Sequence, residues 1–207
     1  MNTLSHDVLV LGIGNLLWAD EGFGVRCVEA FDSAFDAPDN VLVMDGGTQG
    51  LYLLPYVEAA KKLVVFDAID FGFQPGTLKQ LEGRDVPAFM GAKKMSLHQT
   101  GFQEVLAAAQ LVGRYPDELV LIGCQPVELE DYGGSLRDEV KAQVGPAVRL
   151  ASDWLRARGI ELRPRADRDA EARLNAGSLS LDAYETGRPS EVEACRVGDD
   201  RFFKGRD

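Results

Sequence analysis

Two adjacent carboxylates, Asp20 and Glu21, occupy a glycine-rich loop near the start of the chain. The loop follows an apolar run over residues 8–11 that Gly12 and Gly14 end, which predicts a buried parallel strand and a turn. A dinucleotide-binding turn needs a third glycine three residues after Gly14, where this chain has leucine. The carboxylates would also repel a pyrophosphate, so the loop favours a cation, although either carboxylate could simply cap the helix that follows.

Three side chains further along the chain are candidates to act with this loop. Asp67 ends the apolar run 63–66, a place where α/β proteins keep functional acids, although it could also cap a turn. Asp45 ends a second apolar run, but its carboxylate could accept the backbone N–H groups of the glycines that follow it. His98 enters a predicted helix, where a lone histidine is more often a surface or capping residue than a ligand. One histidine with several carboxylates suits a borderline divalent metal that keeps open coordination positions.

Other catalytic layouts fit the sequence less well. It has no His-Glu-x-x-His zinc motif, no Gly-x-Ser-x-Gly nucleophile elbow and no Cys-x-x-Cys pair. Its three cysteines, Cys27, Cys124 and Cys195, are odd in number and far apart, which argues against a disulfide framework. A Cys124–His98 nucleophile pair stays open as an alternative, although buried cysteines are usually inert.

The composition limits the partners. A net charge of −11 disfavours nucleic acid, which needs clustered Lys and Arg, and favours a cation or a basic protein surface. No apolar run approaches the ~20 residues that span a bilayer, and the first residues lack the basic start and apolar core of a signal peptide. We therefore expect a cytoplasmic protein that binds neither membrane nor nucleic acid, and we expect it to be a monomer.

Apolar strands alternate with amphipathic helices along the chain. This alternation predicts an α/β three-layer sandwich, in which a mostly parallel, twisted sheet carries helices on both faces. Strands are predicted over residues 8–11, 41–45, 63–67, 76–81 (an edge strand), 118–123 and 160–162. Helices are predicted over residues 23–35, 51–58 and 99–111, and over a long stretch from a Ser135 cap to residue 158. Because sites in such folds form beyond the carboxyl ends of the strands, Gly12, Asp45 and Asp67 should meet at one edge.

The chain changes character near residue 166. Residues 166–207 contain few large aliphatic side chains and many charges, so they bury little apolar surface alone. We therefore expect an α/β domain over residues 1–165 and a polar C-terminal extension over 166–207. The extension is expected to be partly disordered or to lie against the domain or a partner, with Leu179 and Tyr184 among its candidate anchors.

Four short motifs together resemble those of the nickel–iron hydrogenase maturation endopeptidases. They are Asn15 with Asp-Glu-Gly-Phe-Gly-Val-Arg at 20–26, Asp-Gly-Gly-Thr at 45–48, Asp-Ala at 67–68, and Ser-Leu-His-Gln at 96–99. The resemblance covers residues 7–163. The tail, at 184–189 and 191–195, is similar to the extension of members that process uptake-type, membrane-bound hydrogenases.

The resemblance implies an endopeptidase that removes a short C-terminal peptide from the hydrogenase large-subunit precursor once nickel is installed. In that family a glutamate, an aspartate and a histidine recognise nickel, and the matching residues are Glu21, Asp67 and His98. The nickel belongs to the substrate, and it would hold the scissile bond near a carboxylate or an activated water. The resemblance does not fix the catalytic base: the candidates are Asp67, as in an aspartic-type endopeptidase, and Asp45, which is also expected to support the site.

Two other classes of function remain compatible with the sequence. One is a nickel-dependent hydrogenase assembly factor that uses the same ligands without catalysis. The other is a nucleotide-binding oxidoreductase, which the acidic loop and Leu17 disfavour. Cleavage of a nickel-loaded precursor distinguishes the first from a peptidase, and nucleotide titration distinguishes the second.

Overall fold

A mostly parallel sheet forms the centre of this computed structural model, which describes residues 6–92, 97–165 and 174–188, with the backbone alone for 89–92 and 97–100. In chain order its strands are β1 (Val8–Ile13), β2 (Phe35–Asp36), β3 (Val41–Gly47), β4 (Lys62–Ala68), β5 (Leu78–Glu82), β6 (Glu118–Cys124) and β7 (Arg163–Pro164). Five of them form the sheet in the order β3-β1-β4-β6-β5, with β5 antiparallel at one edge. β2 and β7 form a separate antiparallel pair.

Helices cover both faces of this sheet. The α-helices of the described residues are α1 (Phe23–Ala34), α2 (Leu54–Ala59), α3 (Asp85–Ala92), α4 (Leu97–Leu111), α5 (Asp138–Lys141), α6 (Val144–Arg156) and α7 (Leu181–Gly187). α1 and α6 pack on the face that carries Val64 and Phe66 of β4, whereas α2 and α4 pack on the face that carries Leu63 and Val65. Alternate residues of a strand point to opposite faces, and these four side chains are all fully buried. The predicted three-layer α/β sandwich is confirmed.

The region after β6 differs from the sequence prediction. Instead of one long helix that Ser135 caps, the chain forms α5 and then α6, with no side-chain cap on either. Pro146 explains the break, because proline has no N–H to donate and its ring clashes with the carbonyl four residues earlier. The predicted strand over 160–162 is also wrong, since the chain instead pairs in β7, which begins at residue 163. α3 has no counterpart in the prediction.

The carboxyl ends of β1, β3 and β4 meet at one edge of the sheet. Gly12 of β1 pairs with Asp45 of β3 on one side and with Phe66 of β4 on the other. Asp67 is the next residue of β4, so the predicted meeting of Gly12, Asp45 and Asp67 is confirmed for their backbone positions. After β1 the chain adds β3 on one side of it, and then crosses over to add β4 on the other side. Open α/β sheets bind ligands at such switch points.

Part of the C-terminal extension, residues 174–188, lies against the domain. The guanidinium of Arg26, only 4% exposed, donates a hydrogen bond to the carbonyl of Leu179. Lys141 of α5 forms an ion pair with Glu185 of α7 at 2.7 Å. The expected domain boundary stays a prediction, but this segment adds contacts to α1 and α5. Within the described ranges, no helix combines the length and the apolar character needed to cross a membrane.

The first turn of α1 packs closely against β1 and β4 at Gly24. A Cβ atom there would lie 2.2 Å from the carbonyl oxygens of both Ile13 and Phe66. Gly24 therefore has the close-packing role that the dinucleotide pattern gives to its third glycine. The turn of helix that precedes α1 explains why this glycine occurs later in the chain than that pattern places it.

We expect Gly24→Ala to lower the free energy of unfolding by about 1–3 kcal/mol, because backbone atoms of two strands must move. Gly145→Ala is the matched control within α6, where the nearest atom to a new Cβ is 3.6 Å away. Alanine has a higher helix propensity than glycine, so this control should leave the free energy of unfolding unchanged or raise it. Urea denaturation measures both variants, and equal effects would contradict the close packing at Gly24.

Candidate active site

The loop that carries Glu21 folds back onto the end of β1. Residues Ala19–Gly22 form one turn of 3-10 helix just before α1, and Glu21 is half-buried in it. The N–H of Asn15 donates to the Glu21 carbonyl at 3.2 Å, and the Asn15 side chain accepts the N–H of Leu17 at 3.0 Å. Gly14 has a φ of 137°, and a Cβ there would lie 1.8 Å from the Glu21 carbonyl oxygen. Glycine therefore lets the turn that carries the carboxylate sit directly on the strand end.

Asp20 is a structural carboxylate. It is fully buried, and its two oxygens accept the N–H groups of Val127 at 2.8 Å, Glu128 at 2.9 Å and Arg137 at 2.7 Å. Its own N–H donates to the Glu128 carbonyl at 3.1 Å. Asp20 thus caps backbone groups of a distant segment, and not the helix that follows it in the chain. These bonds tie the Glu21 loop to the segment after β6 and occupy both carboxylate oxygens.

Asp67 lies at the same edge of the sheet, on the face that α4 covers. It is 4% exposed and is the second-last residue of β4. Because it shares the alternation of Leu63 and Val65, its side chain points to their face. The 3-10 helix that carries Glu21 is a direct neighbour of β4. The structure therefore places the elements that carry Glu21 and Asp67 next to each other at one edge of the sheet.

His98 is placed by its backbone alone. It is the second residue of α4, and a Cβ on Gly101, one turn further, would lie 3.5 Å from the Cα of Gly50 in the loop after β3. The start of α4 is therefore at the carboxyl edge, on the face of Asp67. The imidazole of His98 lies outside the described side chains. That His98 forms one site with Glu21 and Asp67 therefore stays a prediction. Among the side chains that are described, no group of three His, Cys, Asp or Glu is arranged to hold a metal ion.

Asp45 points to the opposite face of the sheet. It shares the alternation of Val43, which packs on the side of α1. One carboxylate oxygen accepts the N–H of Gly47 at 2.8 Å, and the other accepts the side-chain amide of Asn175 at 2.9 Å. Burial raises the pKa of Asp45, and these two hydrogen bonds oppose the rise. The Asx-turn interpretation is confirmed, and the structure does not bring this carboxylate toward Asp67.

The backbone N–H groups that a phosphate would need are already used in this loop. The Gly14 N–H donates to the Gly47 carbonyl at 3.0 Å, and the Asn15 N–H donates to the Glu21 carbonyl. A phosphate-binding turn instead directs its N–H groups at the ligand. The geometry therefore disfavours the nucleotide-binding alternative.

The described cysteines are poor nucleophiles. Cys124 is fully buried at the end of β6, and burial, reinforced by the charge of Asp20, raises the pKa of its thiol to about 12. Burial likewise raises the pKa of Cys27 well above its ordinary value. Since the thiolate is the reactive form, a Cys124–His98 nucleophile pair is disfavoured. Cys195 lies outside the described residues.

Gln125 is an organising residue that the sequence reasoning missed. It follows β6 directly and is 7% exposed. Its amide oxygen accepts the N–H groups of Phe71 at 2.7 Å and Phe73 at 3.1 Å, and its amide nitrogen donates to Asp70 at 3.0 Å. Gln125 therefore fixes the loop that begins just after Asp67. The sequence signal that could have identified Gln125 is its amide side chain, which stands alone between a buried strand and a proline.

The chain is a peptide-bond hydrolase with an α/β fold, because it is a member of the hydrogenase maturation protease family, whose model matches residues 25–154. It is 64% identical over 196 residues to the hydrogenase expression/formation protein HupD of Rhodobacter capsulatus, an alignment that covers 95% of this chain and 92% of that protein. The solved structure of the hydrogenase maturating endopeptidase HybD from Escherichia coli matches with a TM-score of 0.73 at 40% identity, over 78% of this chain and 99% of that one. The family and the activity expected from the motifs are confirmed.

The length of the match differs between relatives. The hydrogenase 2 maturation protease of Escherichia coli is 40% identical over 159 residues, which is 96% of that protein but 76% of this chain. The Rhodobacter capsulatus relative covers nearly all of this chain. The longer chain is therefore a feature shared with HupD and absent from the shorter Escherichia coli enzyme.

Asp20 and Glu21 should respond differently to the same isosteric change. Asp20→Asn directs an amide N–H at backbone donors in a buried place, so we expect the free energy of unfolding to fall by about 2–3 kcal/mol. Glu21→Gln lies in a half-buried turn and should cost about 1 kcal/mol or less. Chemical denaturation of both variants measures the difference. Equal losses would contradict the structural role of Asp20.

The raised pKa of Asp45 predicts that the stability of the fold depends on pH. Its pKa in the folded protein lies above the ordinary value of 3.8, so the native state binds the proton more tightly than the unfolded chain. The free energy of unfolding from this group is therefore largest at low pH and falls as the pH rises through the raised pKa. Asp45→Asn removes this titration but loses one hydrogen bond at every pH.

The test compares the unfolding free energies of wild type and Asp45→Asn at about pH 4 and about pH 7. The unfolding free energy of wild type minus that of the variant should become smaller as the pH rises. A difference that is the same at both pH values would show that the carboxyl group of Asp45 has no raised pKa.

Proposed function

We propose that this endopeptidase cleaves the C-terminal peptide from a nickel-loaded hydrogenase large-subunit precursor, and that Glu21, Asp67 and His98 bind the substrate's nickel. The roles in hydrogenase maturation and in peptide-bond cleavage are supported by the names of the family and of the relatives. Nickel recognition is supported most directly by the placement of the Glu21 turn beside the end of β4, the strand that carries Asp67. Asp20, the third carboxylate nearby, is buried and engaged by backbone N–H groups.

The chemistry of the three side chains suits nickel. Carboxylate oxygens and an imidazole nitrogen are ligands for borderline divalent metals. Three ligands from separate loops leave coordination positions open for groups of the precursor. The ion is therefore proposed as part of the substrate, where it holds the C-terminal segment at this edge and orients the scissile bond.

Asp67 is proposed as the catalytic carboxylate. One of its two oxygens would bind the metal, and the other would take a proton from the water that attacks the scissile carbonyl carbon. The carbon–nitrogen bond then breaks, and the proton passes to the amine of the released peptide. The burial of Asp67, at 4% exposed, supports this role because it limits competition from bulk water.

Asp45 is proposed to support the site from the other face of the sheet. Its carboxylate accepts the Gly47 N–H, and the Gly47 carbonyl accepts the Gly14 N–H at 3.0 Å. The Asx turn therefore holds the strand end on which the Glu21 turn lies. Substitution of Asp45 should impair processing through this geometry and not through loss of a proton acceptor.

Three further properties are proposals of the same kind. The tail sequence favours an uptake-type hydrogenase as the source of the precursor, and the cytoplasmic location and monomeric state expected from the sequence stay predictions. Gel filtration of the purified protein tests the monomer. Fractionation of the producing cells tests the location.

The decisive experiment incubates the enzyme with nickel-loaded and nickel-free precursor and follows precursor size on a gel. Wild type should cleave the nickel-loaded form alone. Glu21→Gln, Asp67→Asn and His98→Ala should each lower the rate by about a hundredfold or more, because the scissile bond is no longer held in place. Asp117→Asn, an exposed carboxylate directly before β6 and so at the opposite edge of the sheet, is the control that should process normally.

Equal cleavage of both precursors would contradict nickel recognition. Normal processing by two of the three site variants would contradict the proposed ligand set. A wild type that binds the nickel-loaded precursor and never cleaves it would favour the assembly-factor alternative.

A further inference from the structure

Exposed apolar side chains gather at the edge that carries Glu21 and Asp67. Among the described residues, the large hydrophobic side chains that are exposed at this edge come from the loops after β1, β3, β4 and β6: Leu17, Leu51, Tyr52, Phe73, Val127 and Tyr132. The others are Leu111 and Val112 at the far end of α4, and Leu179 in the extension. Patches of this kind on a soluble protein mark interaction sites.

Four of these loop residues, together with the half-buried Trp18, make up the surface that we name the apolar platform: Leu17, Trp18, Phe73, Val127 and Tyr132. The rings of Trp18 and Tyr132 meet edge to face, with centroids 5.3 Å apart. The carbonyl of Leu17 accepts the N–H of Gly133 at 2.7 Å, which joins the loop after β1 to the loop after β6. Tryptophan and tyrosine are among the side chains that are enriched at the energetic centres of protein interfaces.

Two buried polar side chains hold the platform in place. Asp20 accepts the N–H groups of Val127 and Glu128, and Gln125 accepts the N–H of Phe73. The backbone under the platform is therefore fixed before any partner binds. A surface that is already ordered loses less conformational entropy on association.

We propose that the apolar platform is the docking surface for the folded body of the large-subunit precursor, a proposal that rests on the proposed function. The platform is continuous with the Glu21 turn, since Leu17 and Trp18 belong to the same loop. A protease must bring its polypeptide to the site, so the substrate covers the surface next to that turn. A second copy of this chain seated there would cover Glu21 and exclude the substrate.

The charge around the platform favours a protein partner with basic groups. Asp70, Glu128 and Glu130 lie in the loops that form it, and the whole chain carries a net charge of −11. An acidic border repels the anionic surface of a membrane. It complements an apolar patch bordered by Lys and Arg, so association with the precursor should weaken as salt rises.

A matched pair of double variants tests the proposal. Leu17→Gln with Val127→Gln changes the platform, where these side chains are 44% and 45% exposed. Leu111→Gln with Val112→Gln makes the same two substitutions at the opposite edge, where they are 89% and 54% exposed. Calorimetry gives the Kd for the nickel-loaded precursor, the cleavage assay gives KM and kcat, and thermal unfolding checks the fold.

The platform variant should raise Kd and KM by about tenfold or more, with kcat at saturating precursor within about twofold of wild type. The matched control should leave all three values unchanged. If the double variant fails to fold, Tyr132→Gln alone replaces it, since that side chain is 54% exposed. An unchanged Kd in the platform variant, or an equal rise in the control, would overturn the proposal.

The same measurements separate this proposal from the proposed function. A wild type that binds the precursor through the platform and cleaves nothing would refute the proposed cleavage and leave the docking surface standing. Cleavage that proceeds with an unchanged Kd in the platform variant would refute the docking surface alone. A wild type that does not bind the precursor would refute both.

Discussion

The buried carboxylate of Asp20 is the constraint on which the edge of this molecule depends. It accepts N–H groups from two segments that follow β6, at Val127, Glu128 and Arg137. A buried carboxylate without donors is costly, and so are backbone N–H groups without acceptors, so the loops are stable only together. The turn that carries Glu21 and the apolar platform both rest on this junction. The position of the site and the surface beside it therefore follow from one side chain.

The two-residue period of the sheet divides the other carboxylates between two tasks. Asp67 shares a face with α4 and hence with the start of the helix that carries His98. Asp45, one strand beyond β1, faces the α1 side and meets Asn175 of the extension. One edge thus carries a candidate reaction site on one face and a structural turn, joined to the C-terminal segment, on the other.

Much of this arrangement can be predicted from sequence, and the parts that cannot share a physical reason. β1, β4 and β6 are covered on both faces, so continuous apolar runs reveal them, and the strand ends then reveal the edge with Glu21 and Asp67. Pro146 carried a local signal for a helix break that the four-residue apolar spacing masked. The backbone donors to Asp20 and the side-chain partner of Asp45, Asn175, are more than a hundred residues away, and no local pattern indicates them. Gln125 is missed likewise, because its bonds go to backbone groups of another loop.

Anomalous X-ray diffraction from crystals soaked in a nickel salt tests the proposed nickel site of Glu21, Asp67 and His98 most directly. The proposed ligand set predicts one nickel peak at the carboxyl edge, about 2.0–2.2 Å from carboxylate oxygens of Glu21 and Asp67 and from an imidazole nitrogen of His98. Asp20 should keep its three backbone N–H groups and stay away from the ion. A nickel ion bound by Asp20 or Asp45 without Glu21, or a peak at another place on the molecule, would contradict the assignment of this edge as the nickel-recognising site.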